Sequence, residues 1–142
     1  HNVATGSGVL IVSGGRLLLL RRGQNPGKGL FTVPGGFVDP GESAEEAVVR
    51  ECREEAGLEI DPGCLHYLTS AANSYLFGDV PYTTCDIFFY ALLSGIEPEI
   101  DGKEATEALF VRPDELDMTL LAFRSTRLAA QKLTTLLLDT RR

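Results

Sequence analysis

The sequence predicts a domain of the α/β or α+β class, a mixed sheet with helices on its faces. Apolar runs punctuated by glycine open the chain, and two long runs rich in aromatic and β-branched residues fill much of its second half. A capped helix separates these two regions, and a C-terminal stretch of helix formers follows them. With 142 residues, 44% of them apolar and 23% charged, residues 1–142 are expected to form a single domain with a real core.

In chain order, residues 9–12 and 17–20 flank Ser13-Gly14-Gly15, where glycines permit the tight reversal of a hairpin. Residues 23–29 are polar and broken by Pro26, a loop ahead of a third strand over residues 30–33. Residues 34–42 hold three glycines and two prolines and read as loop. Ser43, with Glu46 three residues on, forms a capping box that starts a helix. Gly57 can adopt the left-handed conformation, which ends that helix at about Ala56. Residues 65–77 and 82–93 predict two longer strands joined by a turn at residues 78–81. The segment 96–107 is acidic and broken, residues 108–111 predict a short strand, and Pro113 opens a brief helical turn. Residues 120–138 predict a C-terminal helix.

Several function classes are excluded at this level. The apolar stretch at residues 8–12 is too short to span a bilayer and lacks the basic flank of a signal peptide, so a soluble, cytoplasmic protein with no membrane partner is expected. Cys52, Cys64 and Cys85 are odd in number with no C-x-x-C spacing, which indicates reduced thiols rather than a disulfide framework or zinc site. A net charge of −7 without a Lys/Arg cluster argues against long nucleic acid as a partner. A phosphorylated small molecule fits only if a divalent cation offsets that charge.

Glu51, Glu54 and Glu55 are spaced i, i+3 and i+4 on the predicted helix, so at roughly 100° per residue they fall within an arc of about 100°. Like charges at that spacing repel and weaken a helix, and structure alone supplies little reason for them. A solvated, salt-bridged face would be the bland account of an isolated acidic helix, and Glu46 with Arg50 is a stabilising i, i+4 pair. A cation gives three converging carboxylates a purpose: oxygen ligands without Cys or His suit Mg²⁺, or Mn²⁺. Such an ion would neutralise phosphate charge and activate water, with a nearby free carboxylate accepting the proton.

Around these acids, Gly36-x5-Glu42-x7-Arg50-Glu51-Cys52-Arg53-Glu54-Glu55-Ala56-Gly57-Leu58 fills every fixed position of the Nudix box, G-x5-E-x7-R-E-U-x-E-E-x-G-U, where U is bulky and apolar. Seven fixed residues, each at roughly 5 to 7% abundance, would align by chance on the order of once per 10⁸ starting points. Cys52 is the soft departure, and free Cys packs as a small hydrophobe. Arg21-Arg22, residues 29–36 and Pro40-Gly41-Glu42-Ser43 resemble the lead-in of the same family. The chain thus resembles Nudix hydrolases over nearly its whole length. The resemblance implies an α/β/α sandwich and Mg²⁺-dependent hydrolysis of a pyrophosphate bond in a nucleoside diphosphate linked to another moiety. It implies Glu51, Glu54 and Glu55 as catalytic metal ligands, joined by the Gly35 carbonyl. Gly36, Glu42, Arg50 and Gly57 would be structural, Glu42 pairing with Arg50 to hold the loop on the helix. Some members recruit a further acid near the last strand, for which Glu104 and Glu107 are the candidates. A homodimer is compatible with the family.

The leaving group is read outside the box. Arg22, Phe31, Phe37, Asn73 and Tyr75 are the candidate substrate-binding residues, with Phe77 and Tyr82 as further aromatics. A buried Asn in a strand has little structural purpose, which singles out Asn73. Residues 65–89 are similar to Nudix proteins related to NADH pyrophosphatases, many of which carry an upstream zinc ribbon. The extended Ser-Gln-Pro-Trp-Pro-Phe-Pro motif of NADH pyrophosphatases is absent. The chain opens on His1 rather than Met, which leaves room for an upstream segment. Dinucleotides or nucleotide sugars of the ADP-ribose or NADH type rank first as substrates, then nucleoside triphosphates, oxidised ones included. The rival classes are a non-catalytic nucleotide sensor, discriminated by binding without turnover, and an acidic Ca²⁺-binding domain, which leaves the glycine loops and Arg50 unexplained.

Overall fold

Gly14 and Gly15 both take positive φ, 59° and 77°, so a two-residue turn reverses β1 (Ala4–Ser13) into β2 (Arg16–Arg22) as the glycine pair predicts. A computed structural model describes residues 3–140. Along β2, Leu18 and Leu20 enter one core while Leu17 and Leu19 enter the other. The sheet is covered on both faces, which is why this strand is an unbroken leucine run rather than an alternation.

β3 (Phe31–Thr32) is shorter than the predicted strand, because the Leu30 N–H bonds to the Gly27 carbonyl and Pro34 has no N–H to donate. Inside the predicted loop, β4 (Gly35–Phe37) pairs antiparallel with β1, Gly36 opposite Ser7 and Gly35 opposite Gly8. Adjacent glycines give no alternation to read. A Cβ on Gly35 would strike the Ser7 carbonyl and the Gly8 Cα, so glycine is what lets the two strands approach.

α1 (Ala44–Ala56) starts on the capping box: Ser43 Oγ accepts from the Glu46 N–H at 3.1 Å, and Glu46 Oε1 accepts from the Ser43 N–H at 2.9 Å. Gly57, at φ 63°, closes it. β5 (His66–Phe77) and β6 (Val80–Leu93) are joined by Gly78 and Asp79 alone, Val80 and Pro81 having joined the strand. β6 also runs parallel to β1 from Ala4 opposite Thr84 to Ser13 opposite Leu93, which makes the sheet mixed.

β7 (Ala105–Val111) begins three residues before the expected strand. The Asp101 carboxylate accepts from the N–H groups of Lys103, Glu104 and Ala105 and turns the chain into β7 early. α2 (Arg124–Thr140) begins later than expected, because residues 118–120 form a 3₁₀ turn capped by Asp117 instead. Pro113 opens the predicted short helical turn.

The strand order is β3-β2-β1-β6-β5, with β4 beside β1 and β7 beside β2. α1 packs Val48, Cys52 and Ala56 on Val9, Ile11, Leu18 and Leu20 of one face. α2 packs Ala129, Ala130 and Leu133 on Leu10, Leu17, Leu19 and Phe88 of the other. The result is an α/β/α sandwich. Cys52 behaves as the apolar residue its position asks for: it is fully buried, and burial pushes its thiol above the ordinary range. Among the described residues no helix is long and apolar enough to cross a membrane.

Candidate active site

The face of α1 that packs on the sheet leaves Glu51 and Glu55, one turn apart, at the edge of a cleft of about 440 Å³. Three residues hold them there. The Gly35 N–H donates to Glu55 Oε1 at 2.9 Å, from β4. Gly36 lies against the Glu51 carboxylate, and a Cβ there would sit 2.9 Å from its carboxyl carbon. Arg50 donates from Nε and Nη2 to the two carboxylate oxygens of Glu42, at 2.8 and 2.9 Å, and from Nη1 to Glu51 Oε1 at 2.7 Å. The same guanidinium reaches the Phe37 carbonyl, so one side chain ties the glycine loop to the helix.

Glu104, from the turn before β7, completes a group: one carboxylate oxygen each from Glu51, Glu55 and Glu104 lie within 4.8 Å of one another. Burial pushes the Glu55 carboxyl up to about 9, with Glu51 and Glu104 adding to the shift and the Gly35 N–H opposing it. Burial also raises Glu51, against the opposing pull of Arg50, and the Glu51 and Glu55 side chains hydrogen-bond to each other. Two carboxylates bonded in this way share a proton. A donor set made only of carboxylate oxygens fits a hard divalent cation, which would displace that proton. Glu42 is the opposite case: the Arg50 hydrogen bonds hold it down at about 2.

Glu54 projects outward, half exposed, 3.3 Å from Arg50, and is not part of the three-acid group. Glu107 lies outside the cleft as the half-exposed partner of Arg21, at 2.8 Å. Phe31 is 6% exposed in the core beneath the Arg21 guanidinium rather than in the cleft. Arg22, Phe37, Asn73 and Tyr75 do line it. Arg22 donates from Nε to the Pro26 carbonyl at 2.6 Å and stacks its guanidinium over Phe123 at 4.9 Å. Burial lowers its pKa, while the charges of Glu55 and Glu104 act in the opposite direction.

Sequence reasoning missed Thr84, Asp86, Phe88 and Phe123, which also line the cleft. The three β6 residues share a face with Tyr82 by strand alternation, a legible signal once β6 is known to border the cleft. Phe123 carries no such signal, since it immediately precedes a helix whose start is set by a tertiary turn.

A family model for the NUDIX domain matches residues 3–131. The chain is similar to an ADP-ribose pyrophosphatase of Methanocaldococcus jannaschii, 55% identical over 49 residues, covering 34% of this chain and 29% of that protein. It is similar to the NAD-capped RNA hydrolase NudC of Salmonella heidelberg, 37% identical over 101 residues, covering 71% of this chain and 36% of that protein. The chain thus spans about a third of the length of each of these relatives. In structure it is similar to a MutT NUDIX hydrolase of Burkholderia pseudomallei, with a TM-score of 0.79 and 26% identity over 93% of this chain and 98% of that one. The NUDIX domain of Shewanella oneidensis NrtR, crystallised with ADP ribose, shares the fold with a TM-score of 0.77 and 20% identity, over 96% and 90% of the two chains. The chain belongs to the Nudix family.

Proposed function

We propose that this chain is a divalent-cation-dependent pyrophosphohydrolase acting on a nucleoside diphosphate linked to a further group, of the ADP-ribose or NADH type. The observation that carries the reading is the convergence of Glu51, Glu55 and Glu104 beside a half-buried Arg22 in one cleft that also has an aromatic end. The names of two relatives, an ADP-ribose pyrophosphatase and an NAD-capped RNA hydrolase, support that substrate type, while a third, a putative 8-oxo-dGTP diphosphatase of Bacillus subtilis 33% identical over 77% of this chain and 66% of that protein, makes nucleoside triphosphates the second reading. Mg²⁺, with Mn²⁺ as a substitute, would be held by Glu51 and Glu55, and Glu54 and the Gly35 carbonyl are further ligand candidates. A bound cation of this kind neutralises phosphate charge and acidifies water.

The chain's own residues supply the rest. Arg22, anchored by Pro26 and Phe123, offers its remaining N–H groups to phosphate oxygens. Arg50 keeps Glu51 in place and stays paired to Glu42 while doing so. Glu104, exposed and outside the Glu51–Glu55 hydrogen bond, takes the proton of the attacking water. Water adds to one phosphorus, the P–O–P bond breaks, and a nucleoside monophosphate leaves with the phosphorylated remainder.

Incubation with Mg²⁺ and a panel of ADP-ribose, NADH, nucleotide sugars and nucleoside triphosphates, with products separated by chromatography, tests this. Metal-dependent release of a nucleoside monophosphate from an ADP-ribose or NADH type substrate is expected. Exclusive turnover of triphosphates would overturn the substrate class, and tight binding without turnover would overturn the enzyme.

A further inference from the structure

Away from the three acids, β6 sets Thr84 and Asp86 on the face that lines the cleft, and register places Asn73 of β5 beside Thr84. Asn73 is 6% and Thr84 3% exposed, and the Thr84 hydroxyl has no hydrogen-bond partner among the described residues. A buried hydroxyl without a partner is a cost the fold carries unless a bound group completes it.

Asp86 is held from behind. Ser125 Oγ, buried in the first turn of α2, donates to Asp86 Oδ2 at 2.6 Å. The other oxygen, Oδ1, lies over Gly6, another lining residue, where any Cβ would strike it. One carboxylate oxygen is therefore fixed by the scaffold and the second is left to the cleft. An anionic acceptor next to an unbonded hydroxyl is unsuited to phosphate, whose oxygens only accept, and suited to N–H donors. The aromatic rings of Tyr75 and Phe123, 5.7 Å apart, border the same end and suit a flat ring.

We propose that Asp86 is the specificity-determining residue of the cleft, accepting a hydrogen bond on Oδ1 from an exocyclic amino group of a purine base. Thr84, able to donate or accept, completes the ring nitrogen beside that amino group. Ser125 is a positioning residue that acts through Asp86. The assignment rests on the cleft being the nucleotide site proposed above.

Calorimetric binding of AMP, GMP and IMP to the wild-type protein tests it without turnover. IMP lacks both the 6-amino group of adenine and the 2-amino group of guanine. At least one of AMP and GMP is expected to bind about tenfold or more tightly than IMP, and which one does so locates the amino group. In Asp86→Ala the acceptor is gone, which cancels the preference. Ser125→Ala leaves the acceptor present but unfixed, so the ratio narrows, a change that a purely structural role would not produce. Equal affinities for the three nucleotides, no binding of any of them, or an Asp86→Ala ratio equal to wild type overturns the assignment. The wild-type comparison needs no variant to fold. None of these nucleotides has a pyrophosphate bond, so selective binding by a protein that cuts nothing would overturn the catalytic reading and leave this one standing.

Discussion

Glu55 is 6% exposed with Glu51 and Glu104 within reach, and in the metal-free chain its carboxyl is raised from 4.5 to about 9. A raised folded-state pKa means that the folded chain holds the proton more tightly than the unfolded one. The stability this contributes is complete below about pH 4.5 and is lost as pH rises through about 9. The metal-free protein is therefore predicted to melt at falling temperatures across that window, and Mg²⁺ to raise the melting temperature most at its alkaline end. A thermal melt series with and without chelator checks both. Glu55→Gln should flatten the metal-free series and lower turnover by about 10²-fold or more, since a ligand charge is lost without loss of shape. Glu51 and Glu55 were legible in the sequence because helix periodicity places i and i+4 on one face whatever surrounds them. The choice between Glu104 and Glu107 was not legible. It depends on the register shift between Arg21 and Arg22 where β2 meets β7, which pairs Glu107 with Arg21 and leaves Glu104 at the cleft. Asp86 and Thr84 were hidden for a related reason: in a strand they are ordinary alternation until the cleft assigns that face a purpose.

The elements that were legible carry their boundary signals in a few adjacent residues. Ser43 and Glu46 start α1, Gly57 ends it, and Gly14 and Gly15 turn the first hairpin. Ser43→Ala removes one half of the capping box and is predicted to cost about 1 kcal/mol, read by denaturant unfolding, with turnover retained in the folded protein. β4 and the starts of β7 and α2 were not legible, because each is decided by a distant partner: β1 for β4, the Asp101 turn for β7, and the Asp117-capped turn for α2. β4 matters most to the site. In Gly36→Ala the new Cβ would meet the Glu51 carboxylate, the movable end of a side chain, at 2.9 to 3.1 Å. The fold should absorb this with a melting temperature near wild type, while turnover falls because Glu51 is pushed off its position. A large drop in melting temperature would show instead that the β4 backbone, not Glu51, gives way.

At the scale of the molecule, the two faces of one sheet divide the labour. α1 on one face brings Glu51 and Glu55, α2 on the other brings Ser125 with Phe123 just ahead of it, and β6 and β5 between them supply Thr84, Asp86 and Asn73. The class of this fold could be read in advance because unbroken apolar strands require cover on both faces. The strand order could not, since the parallel pairing of β1 with β6 joins residues some eighty positions apart and leaves no local trace. The most direct test of the whole account is turnover of the best diphosphate substrate by wild type and Glu55→Gln, with Mg²⁺, with chelator, and with Mg²⁺ restored. Hydrolysis that vanishes with chelator, returns with Mg²⁺ and is reduced by about 10²-fold or more in the variant is what the cleft predicts. Hydrolysis that survives chelation, or a variant near wild-type rate, would contradict it.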